Sequence, residues 1–197
     1  MTYSVSLIRE GLLFDRSGNR KYLNGAERKA YFRAIVLERS LLHRTFYLTL
    51  FYTGCRISEG LNLTPQRIDL RGKNLVFETM KRRTRGHFRS VPIPESLIKL
   101  LARAILKKTP AQPLWSFSRT TAYRLVKERM AWAGINGAMA TPKGLRHSFA
   151  VACVAENIPL PTVQKWLGHA RLETTAIYLN ASGDEERDFA KRLWKYR

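Results

Sequence analysis

Between residues 141 and 180 the chain sets side chains suited to phosphate and proton chemistry at close intervals. Lys143 and Arg146 lie one helical turn apart, His147 follows directly, Leu167-Gly168-His169 comes next, and Tyr178 stands nine residues past His169. Far upstream, Thr53-Gly54-Cys55-Arg56-Ile57-Ser58-Glu59 puts a second Arg at a turn-to-helix junction. Phosphoryl transfer without a metal needs a positioned nucleophile, neutralisation of the equatorial oxygens and a proton for the leaving oxygen. Two guanidiniums meet the second need, because they stay charged and grip phosphate with paired hydrogen bonds. A Lys or His meets the third. A tyrosine meets the first where cations favour its phenolate, since a free phenol ionises only near pH ~10. The chain has no dense Asp/Glu cluster for Mg²⁺, which argues against a two-metal nuclease. These residues read as one phosphate-binding site with a tyrosine nucleophile.

Singly, each has an ordinary explanation. Arg56 after a helix-ending glycine reads as a surface or capping residue, His169 as a turn residue and Tyr178 as core. The basic run 81–89 reads as a solvated loop that touches phosphate without catalysis. Trp115, Trp132 and Trp166 are most simply core, Cys55 and Cys153 small buried apolar residues, and His43, His87 and His147 show no metal-ligand pairing. The weight lies in the ordered set.

That ordered set resembles the tyrosine recombinase (phage integrase) catalytic domain. Thr53-Gly54-Cys55-Arg56-Ile57-Ser58-Glu59 resembles the family's first box. Lys143-Gly144-Leu145-Arg146-His147-Ser148-Phe149-Ala150 resembles the second, Leu167-Gly168-His169 the third, and Thr174-Thr175-Ala176-Ile177-Tyr178 the nucleophile segment. The resemblance covers roughly residues 20–182. It implies that Arg56 and Arg146 clamp the scissile phosphate, that Tyr178 attacks it to form a 3′-phosphotyrosyl link, and that His169 donates a hydrogen bond to it. Lys81, beside Arg82, Arg83 and Arg85, would protonate the 5′ oxygen, and Glu59 would buttress Arg56. Lys143 stands where most members carry His. A neutral His could accept the tyrosine proton, whereas a Lys could do so only with a strongly lowered pKa. Lys143 is therefore read as an electrostatic partner of the phosphate, and the base is left unassigned. No metal and no cofactor is implied. The implied partners are double-stranded DNA, further copies of the chain as a tetramer on paired sites, and accessory DNA-bending proteins. Only about 20 residues precede the pattern, a length similar to the fimbrial phase-switch recombinases, so a compact form without an N-terminal core-binding domain is expected.

The elements that must position these residues follow from local signals. Residues 1–22 are polar and irregular and read as an arm. Asn24 with Glu27 has capping-box form and opens a helix to about Arg39, with Phe32, Ile35 and Val36 as its apolar face. A buried helix follows over 42–52, ended by Gly54 in a left-handed turn, and then a short helix over 57–63. Residues 67–70 and 74–80 read as strands, 81–89 as a basic loop, and 91–94 as an edge strand because proline cannot donate to a ladder. Helices are expected over 95–107, from the Ser118 cap to Ala133, and from the Thr141 cap with Pro142 in its first turn. Asn157, Pro159 and Pro161 break the last of these, and short helices follow over 162–167 and 172–179. A final helix opens at 184–188 and carries a Phe189, Leu193 and Trp194 stripe suited to docking on a neighbouring subunit. The fold class is mainly α with a small antiparallel β-sheet (α+β), arranged as an arm (1–22), a catalytic domain (23–182) and a tail (183–197).

Composition agrees with a polyanion partner. Lys and Arg number 35 against 15 acids, a formal +20 across 197 residues, while 45% hydrophobic content supplies one core. No signal segment or membrane-length apolar run is visible, so the expected location is the cytoplasm, on DNA. Arg119, Arg124, Lys127 and Arg129 on the 118–133 helix, expected to enter the major groove, with Arg82, Arg83, Arg85 and Arg89 of the basic loop, are the candidate DNA contacts. Two other functions have signals of their own: a type IB topoisomerase-like relaxing enzyme with the same chemistry, towards which Lys143 leans, and a non-catalytic DNA-binding regulator, since residues 156–178 resemble a helix-turn-helix and charge alone gives affinity. The regulator would keep full activity without the Tyr178 hydroxyl.

Overall fold

Helices begin where the sequence offers a side-chain acceptor. Asn24 Oδ1 accepts from the Glu27 N–H at 2.8 Å while Glu27 Oε2 accepts from the Asn24 N–H at 2.8 Å, completing a capping box. Ser40, Ser118 and Thr141 cap three further helices in the same manner. The protein is seen in a computed structural model that describes residues 13–79 and 86–180.

In order these are α1 (Gly25–Val36), α2 (Leu41–Thr53), α3 (Ile57–Leu61), a 3₁₀ turn (Pro65–Arg67), β1 (Ile68–Asp69), β2 (Asn74–Glu78), β3 (Phe88–Pro92), α4 (Glu95–Ile105), α5 (Arg119–Trp132), α6 (Pro142–Ala155), α7 (Leu160–Leu167) and α8 (Glu173–Ala176), which runs into a 3₁₀ turn (Ile177–Asn180). The sheet is antiparallel in the order β1-β2-β3, with Phe77 opposite Arg89 and Leu75 opposite Val91. β3 is the expected edge strand, but it starts at Phe88, three residues before the expected start.

Helix α2 packs against α1, α3, α4 and α6, and α5 packs against α1, α3 and α6. The main core gathers Tyr31, Ile35, Phe46, Leu50, Leu97, Leu101, Trp115, Val126 and Met130. A second cluster joins Leu13, Tyr22, Phe149, Ala150, Cys153, Val163, Leu167 and Tyr178. Helix α6 serves both, with Leu145 in the first and Phe149 in the second. Fully burying each large side chain contributes about 1.5–3 kcal/mol.

Several expectations need correction. Residues 13–22 are not a loose lead-in: Phe14 bridges Arg20, Leu13 and Tyr22 are buried in the second cluster, and the Leu23 N–H donates to Ser148 Oγ at 2.8 Å. The buried face of α1 is Tyr31, Ala34 and Ile35, and Val36 is 47% exposed, because α2 and α5 together set the rotation of the helix. Trp132 is 61% exposed, with the Arg129 guanidinium 5.6 Å from its ring, whereas Trp115 is core. The 172–179 helix is one α-turn followed by a 3₁₀ turn, and α7 starts two residues early, with Pro161 in its first turn. The 183–197 tail lies outside the described residues.

Gly54 ends α2 at φ 57°, and a Cβ there would sit 2.5 Å from Phe149 Cδ1. Gly54→Ala is expected to destabilise the protein by about 1–3 kcal/mol through strain and overpacking between α2 and α6, read as a lowered urea midpoint.

Candidate active site

The left-handed turn at Gly54 delivers Arg56 to the N-cap of α3. One turn later Glu59 folds back: Oε2 accepts from the Arg56 N–H at 2.9 Å, and Oε1 from Arg56 Nη1 at 2.7 Å. The Glu59 carboxylate, with no exposed side-chain surface, also takes Arg89 Nη2 from β3 at 2.5 Å. Arg89 Nε donates in turn to the Trp166 carbonyl at 2.7 Å. Burial works to raise the Glu59 pKa, but the Arg89 charge and hydrogen bond, followed by Arg56, outweigh it and hold the carboxyl below its ordinary range.

Arg146 enters the same place from α6. It is buried, and it donates from Nη1 to the Gly54 carbonyl and from Nη2 to the Leu167 carbonyl, each at 2.8 Å. These two bonds tie the α2–α3 turn to the end of α7. Burial, with Arg56 close by, lowers the Arg146 pKa to about 10, so it keeps its charge at neutral pH. Gly168 ends α7 at φ 67°, and a Cβ there would meet Arg89 Nη1 at 3.0 Å. The turn places His169, whose Nδ1 lies 2.9 Å from Thr175 Oγ1 and whose ring stacks on Tyr178 with an interplanar angle of 13°. Tyr178 is 2% exposed, and its Oη lies 3.0 Å from His147 Nδ1. Burial raises the phenol pKa, and the charges of Arg146 and Arg56 act against that rise. Two guanidiniums from distant parts of the chain therefore share one site with the phenol. That arrangement can hold a phosphodiester and favour attack on it.

Residues 31–185 match the model of the phage integrase family. This chain belongs to the phage integrase family. It is 32% identical over 161 residues to a tyrosine recombinase of Thermosipho africanus, covering 79% of this chain and 56% of that protein. It is 29% identical over 168 residues to the tyrosine recombinase XerA of Pyrococcus furiosus, covering 80% and 57%. The chain thus spans little more than half the length of these curated relatives. Among solved structures, XerH site-specific recombinase bound to palindromic difH substrate matches with a TM-score of 0.75 at 22% identity, covering 99% of this chain and 60% of that one. The catalytic domain of bacteriophage HP1 integrase matches with a TM-score of 0.60 at 20% identity, covering 86% and 93%. The fold is the tyrosine recombinase catalytic-domain fold.

Of the residues read from the integrase boxes, Arg56, Glu59, Arg146, His169 and Tyr178 come together. Lys143 is exposed on the first turn of α6, and its charge acts on His147. Lys81, Arg82, Arg83 and Arg85 lie outside the described residues. Arg119, Arg124 and Lys127 are exposed along α5, with Arg124 3.6 Å from Glu128, whereas Arg129, expected to face DNA with them, is half-buried and ion-paired to Glu38. Arg89 corrects the expectation of a DNA-facing loop cation: its side chain is 4% exposed and ion-paired to Glu59. Strand parity carried that signal, since Arg89 shares the inward face of β3 with Val91. Two contacts were missed entirely, the Arg89–Glu59 pair and the His147–Tyr178 hydrogen bond. Each joins residues 30 or more apart in the chain.

Two outcomes follow for this integrase domain. Glu59→Ala leaves the buried Arg89 without its carboxylate partner, with an expected loss of about 3–5 kcal/mol in urea unfolding. Glu59→Gln, which keeps the shape and one acceptor, should lose less. The second concerns pH. Burial first, then neighbouring cations, holds the ring pKa of His147 at about 4 and of His169 at about 3, against 6.5 for a free imidazole. As pH falls below the free value, the unfolded chain takes up protons that the fold refuses, so stability drops, and it is fully present only above that value. Each ring contributes up to about 1.4 kcal/mol per pH unit. Urea midpoints should fall between pH ~7 and pH ~5, with a shallower slope in His169→Gln.

Proposed function

We propose that this chain cuts and rejoins DNA as a site-specific recombinase through a 3′-phosphotyrosyl intermediate. The observation that carries this is that Arg146 from α6 bonds both the Gly54 carbonyl, two residues before Arg56, and the Leu167 carbonyl, two residues before the His169 that stacks on Tyr178, so both guanidiniums and the phenol share one site. The guanidiniums hold the scissile phosphate and offset its growing charge. Tyr178 Oη attacks phosphorus, the bond to the 5′ oxygen breaks, and that oxygen takes a proton from Lys81. The phosphotyrosyl ester conserves the bond energy, so a second DNA 5′ hydroxyl can reverse the step. Glu59 fixes Arg56, while His169 donates to a phosphate oxygen. A phenol buried as Tyr178 is must shift with its 3₁₀ turn to meet DNA.

The partner in this reading is double-stranded DNA, bound by the exposed cations of α5 and by Arg82, Arg83 and Arg85. Copies assemble as a tetramer on paired sites, with the 183–197 tail docking on a neighbour and accessory bending proteins assisting, at the nucleoid in the cytoplasm. The recombinases among the curated relatives favour strand exchange over relaxation or regulation alone. The test uses nicked suicide duplexes built from inverted repeats flanking the gene. Protein should remain on the DNA through denaturing electrophoresis, and proteolysis of that adduct should return a nucleotide-bearing peptide modified at Tyr178. Modification at another residue, or no adduct on any duplex, defeats the proposal.

A further inference from the structure

His147 has one hydrogen-bond partner among the described residues, and that partner is the oxygen assigned as nucleophile. Its Nδ1 lies 3.0 Å from Tyr178 Oη, with the rings 5.7 Å apart and inclined at 53°. Its Nε2 is buried and meets no hydrogen-bond partner among the described residues. A buried unpaired ring nitrogen costs about 1–3 kcal/mol, and packing alone gives no return for that cost. Here the one satisfied nitrogen faces the reacting atom.

Resting on the recombinase reading above, we infer that His147 is the proton acceptor for Tyr178: as the phenol oxygen bonds to phosphorus, its O–H bond breaks and the proton passes to His147 Nδ1. The electron pair of the O–H bond becomes the new P–O bond, and the pair of the breaking bond leaves on the 5′ oxygen, which is protonated separately. In rejoining, His147 returns the proton to the tyrosine. The step needs no other reactant.

Three features of the surroundings suit this role. First, the buried phenol is neutral, so its hydroxyl donates and Nδ1 accepts, which puts the resting proton of the imidazole on Nε2. Second, His147 is neutral at physiological pH and able to accept, because burial and the cations around it disfavour its charged form. Those cations are Lys143 and Arg146 on its own helix and Lys21 from the segment before α1; the ring also faces Tyr178 from the 3₁₀ turn and His169 from the α7–α8 connection. Third, the negative phosphodiester arriving between Arg56 and Arg146 offsets those cations and raises the basicity of His147 when a base is needed. Lys143, at the position expected to supply a histidine, is exposed at the helix start, while His147 lies one turn further along on the buried side.

The test is single-turnover cleavage of a nicked suicide duplex across pH, with the wild-type chain, His147→Gln and His147→Ala. His147→Gln keeps a hydrogen-bonding side chain but cannot take up a proton. It is expected to slow adduct formation about 10²–10⁴-fold near pH 7, with the deficit shrinking at alkaline pH as the phenol ionises unaided. Exogenous imidazole should accelerate His147→Ala and leave Tyr178→Phe inactive. A duplex whose 5′ bridging oxygen is replaced by sulfur, a leaving group that needs no proton, should not rescue His147→Gln, whereas it would rescue loss of a general acid. Wild-type rates in His147→Gln, a pH-independent deficit with no imidazole response, or rescue by the sulfur substrate would each overturn the assignment. A wild-type chain that forms no adduct would instead remove the recombinase reading beneath it.

Discussion

Tyr178→Phe is expected to yield a folded protein that binds DNA with unchanged affinity and forms no covalent adduct. The substitution deletes one oxygen. The ring keeps its place among Leu13, Tyr22, Phe149 and Leu167 and its stack on His169, and the fold loses a single hydrogen bond, the one to His147. Its loss leaves His147 Nδ1 buried without a partner, which costs about 1–3 kcal/mol, so the urea midpoint should fall while the protein stays folded. Cleavage has no such tolerance. Without the hydroxyl nothing remains to take the phosphoryl group, and adduct should fall below detection, at least about 10⁴-fold. Denaturing electrophoresis and a parallel DNA-binding titration separate the two effects. Equal adduct from Tyr178→Phe would show that another residue attacks.

Arg146→Ala is expected to lose both chemistry and stability. Removing a guanidinium that offsets transition-state charge costs about 10³-fold or more in single-turnover cleavage. The same side chain satisfies the buried carbonyls of Gly54 and Leu167, and its loss leaves both unpaired around a cavity, an expected destabilisation of about 3 kcal/mol. Arg146→Lys divides the two roles. An ammonium restores the charge, but it cannot bridge two carbonyls and also present a flat fork to phosphate. It should recover part of the urea midpoint and little of the cleavage. Full cleavage by Arg146→Lys would mean that charge alone is required there.

Much of the architecture was legible because its causes are local. The Asn24–Glu27 capping box, the Ser118 and Thr141 caps, and the glycines at 54, 134 and 168 mark helix ends through bonds and backbone angles that span four residues or fewer. The 2-residue alternation of the strands and the family's four ordered boxes are local as well. Where sequence reading slipped, a distant partner had decided. Val36 and Trp132 face outward because of the way α1 and α5 meet, with Arg129 reaching across to Glu38 and toward the Ala34 carbonyl. Arg89 belonged by position to a basic loop and by strand parity to the interior, and only Glu59, from another element, explains why a cation is stable there.

The active site divides along the same line. The residue types, their order and a charge of +20 by themselves pointed to a phosphate-directed chemistry with a tyrosine as its expected nucleophile. The tertiary structure decided that Arg56 and Arg146 share one site with Tyr178, that Glu59 is shared by two guanidiniums, and that His147 rather than Lys143 touches the phenol. The reason is physical. Caps and turns are settled by bonds between near neighbours in the chain. Which side chain meets another across 31 or 92 residues depends on the rotation of whole helices as their apolar faces bury one another, and no short window of sequence records that.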